Sequence, residues 1–206
     1  MATDLSDTAV LTPQQLVDAL DTLGVHFLRG GLGAHVRAGP AALLAGLAAS
    51  AGARLRLALI PLLLARPEFA HDAGSALQQM SPAAAVTFRC YYTAACWLQV
   101  KHRGRLTACL GPVRPLPDLF GEELGLAAYT DPDAALRALG AKQQVLSGRA
   151  LNWCGSYEHA ARTWLRQRDR LLLPKDLTQG CVGTLVHSSS TFGANRCIRT
   201  TMPQLL

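Results

Sequence analysis

Residues 148–170 read GRALNWCGSYEHAARTWLRQRDR and carry the clearest helical pattern in the chain. At about 3.6 residues per turn, one side of this helix is apolar and consists of Trp153, Tyr157, Ala161, Trp164 and Leu165. A second side is basic and consists of His159, Arg162, Arg166 and Arg170. Such a helix packs its apolar side against a core and keeps its charges on the surface. The pattern is typical of a binding surface and contains no catalytic motif.

The composition extends this helical interpretation to the rest of the chain. The 206 residues are 50% hydrophobic and 17% charged, which suits one domain of about 150–170 residues with a buried core. Leu and Ala dominate, whereas Val and Ile are scarce, and no segment shows the alternation of a strand. We therefore predict an all-α fold, a single compact bundle of about seven helices with an irregular C-terminal extension.

Three helix starts stand out because a capping residue precedes a proline. Thr12-Pro13-Gln14-Gln15 is a capping box, and the apolar spacing after it predicts one helix as far as Gly30. Ser81 and Pro82 start a long helix toward Arg103, whose wide apolar surface predicts a central position. Asp131 and Pro132 start another helix, with the inward positions Ala135, Leu136, Leu139, Val145 and Leu146.

The remaining segments give weaker signals. Residues 40–50 and 54–65 predict two apolar helices, the second interrupted by Pro61, and Pro67 predicts a further start toward Met80. Residues 116–124 predict a short helical turn, and Gly148 separates the last two helices.

The chain divides into three parts by composition. Residues 1–11 form a flexible acidic leader, residues 12–173 the helical domain, and residues 174–206 an irregular or disordered tail. The tail has eight Ser or Thr and three Gly among its 33 residues, and its apolar residues are isolated. We therefore expect it to form no core of its own.

The cysteine content and the apolar runs bear on the compartment. The six cysteines have no CxxC spacing, and the N-terminus lacks the pattern of a signal peptide, so reduced thiols in the cytoplasm are expected. The longest apolar run, residues 57–65, is far shorter than the about 20 residues of a membrane-spanning helix. We expect no membrane association.

Signatures of catalysis and of metal binding are lacking in the sequence. The histidines show no spacing typical of zinc ligands, and the gaps between Cys181, His187 and Cys197 match no common metal framework. Neither a GxSxG motif nor a GK[ST] motif occurs. Glu158 and His159 are adjacent, so their side chains diverge by about 100° on a helix. We predict a protein that is not an enzyme and has no cofactor and no metal.

Two basic clusters are the candidate binding residues of this protein, whose net charge is +6. Arg162, Arg166 and Arg170 recur every four residues with His159 beside them, and a second cluster lies at the predicted end of the central helix. The candidate residues for binding nucleic acid or a partner are Lys101, Arg103, Arg105, His159, Arg162, Arg166 and Arg170. The alternative is that the first cluster is a solvated helix face and the second complements a helix dipole.

Three segments together resemble a known family: LIPLLL at 59–64 with RPE at 66–68, YYTAA at 91–95 with LQ at 98–99, and NWCGSYEH at 152–159. The family is a poorly characterised bacterial group of small helical proteins, associated with genes for nucleotidyltransferases of the toxin–antitoxin kind. The resemblance covers residues 12–173 and excludes the tail. It implies a helical partner or neutralising subunit and transfers no catalytic residues.

Two functions follow as hypotheses. The first is a non-enzymatic cytoplasmic binding subunit that acts through a protein partner or as a homo-oligomer, in a toxin–antitoxin or defence setting. The alternative is a DNA- or RNA-binding protein that uses its basic helical face. Salt distinguishes them, because a complex held by phosphates weakens steeply as salt rises, whereas apolar burial responds much less.

Overall fold

The computed structural model describes residues 11–28, 36 and 38–172. The predictions for the tail, and for all of the acidic leader except Leu11, lie outside the described residues. Regular structure in the described part is helical, without strands, so the predicted all-α fold is confirmed. A 3₁₀ helix spans Pro67–Asp72, and the α-helices are α1 Pro13–Thr22, α2 Pro40–Ala49, α3 Ala53–Leu57, α4 Leu59–Ala65, α5 Ala73–Gln78, α6 Pro82–Lys101, α7 Arg103–Leu110, α8 Pro132–Ser147 and α9 Trp153–Leu172.

The three capped helix starts are confirmed. The Thr12 hydroxyl accepts a hydrogen bond from the Gln15 amide at 3.3 Å, and the Thr12 amide donates to the Gln15 side chain at 2.8 Å. The Ala84 amide donates to Ser81 Oγ, which caps α6. The Asp131 carboxylate accepts from the Ala134 amide at 2.8 Å and caps α8. Each cap satisfies an amide that has no partner within its helix.

The first helix ends earlier than predicted. It stops at Thr22 and does not continue to Gly30, because Gly24 adopts a φ of 73°. The Val25 amide donates to the Leu20 carbonyl and the Gly24 amide to the Asp21 carbonyl, which is the pair of bonds in a Schellman cap. Val25 is fully buried after the turn. The sequence signal for the end of this helix was the Gly24-Val25 pair, and not Gly30.

The apolar segment that contains Pro61 forms two helices. Pro61 has no amide hydrogen, so the helical bond back to the Leu57 carbonyl is absent and the segment breaks at Ala58. The predicted interruption of this segment is confirmed, and residues 59–64 of α4 are all buried.

The long helix α6 lies at the centre of the described bundle, as predicted. It packs against α2, α4, α8 and α9. Its aromatic side chains Phe88, Tyr91 and Tyr92 are buried, and the ring of Tyr91 meets that of Tyr157 from α9 edge-on at 5.6 Å between centroids. This contact joins the two longest helices of the described core.

The last turn of α8 contradicts part of its predicted inward face. Ala135, Leu136 and Leu139 are buried as expected, but Val145 is 79% exposed and Leu146 is 44% exposed. The inward position of this turn is Gln143, which is buried and accepts a hydrogen bond from the Tyr157 hydroxyl. Val145 lies about 200° around the helix from Gln143 and therefore points away from the core.

Helices α8 and α9 approach closely at a glycine. A Cβ atom on Gly140 would lie 3.1 Å from the Cys154 backbone nitrogen. Gly148 then ends α8 with a φ of 64°, and the Asn152 side chain accepts from the Gly155 amide at the start of α9. These contacts fix how α9 lies on the bundle.

No helix in the described part of the chain combines the length and apolar character required for a membrane crossing.

Candidate anion-binding groove

The two sides of α9 are sorted as its sequence predicts. Trp153, Tyr157, Trp164 and Leu165 are buried, with Trp164 only 1% exposed. Among the basic residues, His159, Arg162, Arg166 and Arg170 are exposed. The apolar side thus packs on the core and the basic side faces away from it.

Four of the seven candidate residues meet in one groove. Arg105 of α7 faces His159, Arg162 and Arg166 of α9, and together these four side chains line a groove of about 330 Å³. The helices α7 and α9 pack against each other, which brings Arg105 next to residues far along the sequence. Among the described residues no acidic side chain lines the groove, although Arg105 pairs with Asp169 and Arg162 lies 3.8 Å from the Glu158 carboxylate.

The other three candidate residues do not line the groove. Arg103 begins α7 and is exposed, and Arg170 is exposed near the end of α9. Lys101, the last residue of α6, instead forms ion pairs with Asp133 of α8 and Glu158 of α9. Its charge is therefore used between helices, and it offers little to an external ligand.

The Lys101 cluster is connected to the groove through Glu158, which pairs with Lys101 and lies 3.8 Å from Arg162. The Glu158 side chain is only 12% exposed, and the Lys101 side chain is 27% exposed. Burial favours the neutral amine, but the hydrogen bonds to Asp133 and Glu158 outweigh it and raise the pKa of Lys101. Lys101 thus carries its charge as a fixed part of the helix packing.

His102 lies in the same cluster without a hydrogen bond from its buried Nε2 atom. That atom is 4.0 Å from Glu158 Oε2, and the side chain is 16% exposed. Burial lowers the pKa of His102, and the charges of Lys101, Arg105 and Arg162 lower it further against the opposing effect of Glu158. His102 is therefore neutral around pH 7.

The arginines of the groove differ in how fully they are engaged. Arg105 forms an ion pair with Asp169, whose pKa is lowered by hydrogen bonds from Arg105 and from the Cys109 thiol. Arg162 donates to the Glu158 carbonyl at 3.2 Å and lies 3.8 Å from its carboxylate. Arg166 contacts the Thr163 hydroxyl at 3.4 Å and has no carboxylate within 4 Å among the described residues.

These contacts leave Arg166 and His159 as the groove residues most available to a ligand. The His159 Nε2 atom lies 3.5 Å from the Thr163 hydroxyl, at the limit of a hydrogen bond. Arg166 keeps most of its five N–H donors unengaged by the described residues. An anion in the groove can therefore be bound without breaking the Lys101 or Arg105 ion pairs.

No metal-binding cluster of three or more His, Cys, Asp or Glu side chains occurs among the residues that the structure describes. Cys181, His187 and Cys197 lie outside the described residues.

Sequence reasoning missed the role of Glu158. It is one of the few buried charged residues in the described part, and its carboxylate pairs with Lys101. Its position between buried Tyr157 and exposed His159, at the border of the two sides of α9, was the available signal.

Comparisons with protein-family models, with curated proteins and with solved structures found no match for this chain.

Proposed function

We propose that this chain is a non-enzymatic binding protein and that the groove between α7 and α9 binds the phosphate groups of a nucleic acid. The observation that carries the proposal is the convergence of Arg105, His159, Arg162 and Arg166 on one groove. Arg105 lies on α7, whereas the other three residues lie on α9. The groove therefore requires the packing of two helices and is not simply the charged face of one helix.

The chemistry of the groove favours phosphate as the ligand. Guanidinium groups present parallel N–H donors that match two oxygens of one phosphate. Most N–H donors of Arg166 are not engaged by described residues, and the imidazole of His159 supplies one further donor.

The basic side of α9 extends the groove into a line of charge. Arg162, Arg166 and Arg170 are spaced by about 6 Å per step along the helix, so they cover about 12 Å. One strand of a duplex has a phosphate about every 3.4 Å along its axis, so this line spans several phosphates. Tyr129, at 37%, is the one exposed side chain among the Phe, Trp and Tyr residues of the described part, which favours backbone contacts over base stacking.

A binding titration tests the proposal. Fluorescence polarisation would measure the Kd of the protein for a fluorescein-labelled RNA hairpin and for a DNA duplex at several salt concentrations. The double variant Arg162→Ala/Arg166→Ala should raise Kd at least tenfold and flatten the slope of log K against log salt by about 2.

The matched control is Arg54→Ala/Arg114→Ala, which removes the same charge from exposed positions away from the groove. This control should bind almost as the parent does. Equal Kd values for the groove variant and the parent would show that the groove is not the nucleic-acid site.

Binding to another protein is the second candidate function. The observation that favours it is a group of exposed apolar side chains at and after the end of α8, namely Val145, Leu146 and Leu151. Neighbouring exposed apolar side chains are typical of protein interfaces. Affinity purification from the native cell, with and without nuclease, separates a protein partner from molecules held through nucleic acid.

The toxin–antitoxin or defence setting and the cytoplasmic location stay predictions. The first rests on the resemblance alone, and the second on cysteine usage.

A further inference from the structure

We infer that an open cleft where the end of α2 meets the start of α6 and the end of α8 binds an acidic, apolar segment of a partner protein. The cleft has a volume of about 390 Å³. This inference rests on the second candidate function, protein binding, and adds the chemistry of the partner. The cleft shares no lining residue with the groove between α7 and α9.

The apolar part of the cleft accepts a hydrocarbon side chain. Ala48 and Ala84 in its lining are buried, and Val86 lies beside them. Leu146 also lines the cleft and is 44% exposed. A partner side chain inserted here would remove apolar surface from water at Leu146, and such burial favours association.

The charged part of the cleft is positive. Among the described residues its lining contains Arg56 and Arg149 and no acidic side chain. Arg56 donates to the carbonyls of Ser50 at 2.6 Å and Ala51 at 2.9 Å, which holds its guanidinium at the end of α2. Arg149 is exposed in the connection between α8 and α9.

Helix dipoles do not cancel this positive charge. The start of α6, at Ser81 and Ala83, and the start of α9, at Trp153, contribute about half a positive charge each, and the ends of α2 and α8 contribute about half a negative charge each. These partial charges sum to about zero, so the full charges of Arg56 and Arg149 decide the sign. A carboxylate therefore complements the cleft and a basic group does not.

The apolar surface continues past the cleft, which favours a protein segment over a small anion. Leu151 is 53% exposed and lies between the lining residues Arg149 and Trp153 in sequence. A small ligand in the cleft would leave Leu151 in water, whereas an amphipathic helix laid across the cleft would cover it as well.

Two matched peptides test the inference on the full chain. The acidic probe has the sequence LEELLEEL, the neutral control has the sequence LQQLLQQL, and binding is followed by ¹⁵N-edited NMR. The acidic peptide should bind at least five times more tightly and shift the amide signals of residues that line the cleft, such as Ala49, Ala83 and Ser147. Equal affinity of the two peptides, or shifts located elsewhere, would overturn the inference.

A charge reversal gives an independent readout. Arg149→Glu should weaken the acidic peptide at least tenfold and create affinity for the basic peptide LKKLLKKL. Arg114→Glu makes the same charge change at an exposed site outside the cleft and should leave all three affinities as in the parent. Arg162→Ala/Arg166→Ala should also leave peptide binding unchanged, so failure of the nucleic-acid proposal and failure of this inference are distinguishable.

The measurements also identify other occupants. If free glutamate shifted the same signals as strongly as the acidic peptide, the cleft would be a small-molecule site and the inference would be wrong. If sedimentation showed a concentration-dependent dimer that Leu146→Arg abolished, the occupant would be a second copy of this chain, which would also overturn it.

Discussion

Lys101 at the end of α6 forms an ion pair with Glu158 in the first half of α9, 57 residues further along the chain. The pair joins the central helix to the helix that carries most of the groove. Asp133 of α8 contacts the same amine, so one charge links three helices. The position of the groove therefore depends on a cluster whose residues are not part of the groove lining.

Replacing Lys101 by Met should destabilise the fold. The change leaves the largely buried Glu158 carboxylate without its main partner, and an unsatisfied buried group of this kind costs about 1–3 kcal/mol. The free energy of unfolding from urea denaturation gives the value. The control Lys142→Met removes an exposed lysine of α8 and should change it by less than about 0.5 kcal/mol.

The same experiment has an internal test. Adding Glu158→Gln to Lys101→Met removes the unpaired charge, so the double variant should be more stable than the sum of the two single losses. Simple additivity would mean that the two side chains do not interact.

Trp164 offers a second stability test, because it is 1% exposed and its indole N–H has no hydrogen-bond partner among the described residues. Trp164→Ala should cost about 3–5 kcal/mol of unfolding free energy. Trp164→Phe should cost much less, because it keeps most of the ring volume and removes a buried unpaired donor. Leu171→Ala, at a side chain that is 64% exposed, is the control. A Trp164→Ala variant as stable as this control would contradict the packing of α9.

The helix starts were predictable because their capping residues lie next to them in sequence. The features that were missed depend on contacts between residues far apart in sequence. Thr12, Ser81 and Asp131 cap their helices through residues at most three positions away, so the sequence contains the whole interaction. The Lys101–Glu158 pair depends instead on how α6 and α9 pack, which periodicity does not specify. Helix α7 was missed because its basic first residues were interpreted as the C-terminal charges of α6.

The groove likewise combines a feature that was predictable from sequence with a contact that was not. The exposed side of α9 was predicted from the spacing of its arginines, and the structure places those side chains as expected. Arg105 was a candidate for a different reason, its place in a basic cluster, and nothing in the sequence indicated that it would face Arg162 and Arg166. Sequence periodicity therefore predicts which residues of one helix face inward. It does not predict which residue of another helix lies across a groove.

Two glycines should respond in opposite directions to a larger side chain. Gly140→Leu should destabilise the protein by more than about 2 kcal/mol, because even a Cβ would lie 3.1 Å from the Cys154 backbone nitrogen. Gly104→Ala in α7 should stabilise it by about 0.5–1 kcal/mol, since nothing lies within 4 Å and alanine is the better helix former. Thermal and urea unfolding would measure both, and a loss of stability in Gly104→Ala would contradict the described surroundings of that glycine.

The thiols should differ in reactivity according to burial. Burial raises the pKa of Cys90 to about 12, so at pH 9 only about one Cys90 thiol in a thousand is ionised. Native protein treated with iodoacetamide should therefore remain unmodified at Cys90, by peptide mapping, until it is unfolded. Half-buried Cys154, whose pKa is also raised by burial, is the internal comparison and should react first of the two. Faster labelling at Cys90 would contradict its place in the core.

The stability of the fold should decrease as the pH falls below about 6.5, and His102 should account for part of the slope. Burial lowers the pKa of His102 in the folded protein, so between the folded and unfolded pKa values the unfolded chain binds more protons. The contribution of His102 to stability is therefore present above the pKa that its imidazole has in the unfolded chain. It is lost as the pH falls through the pKa that the imidazole has in the folded protein.

His102→Gln should flatten the dependence of unfolding free energy on pH between 5 and 7, measured by urea denaturation. His71→Gln, at an exposed residue of the 3₁₀ helix, is the matched variant for loss of an imidazole outside the core. An unchanged slope in His102→Gln would mean that the buried imidazole is not the group that titrates.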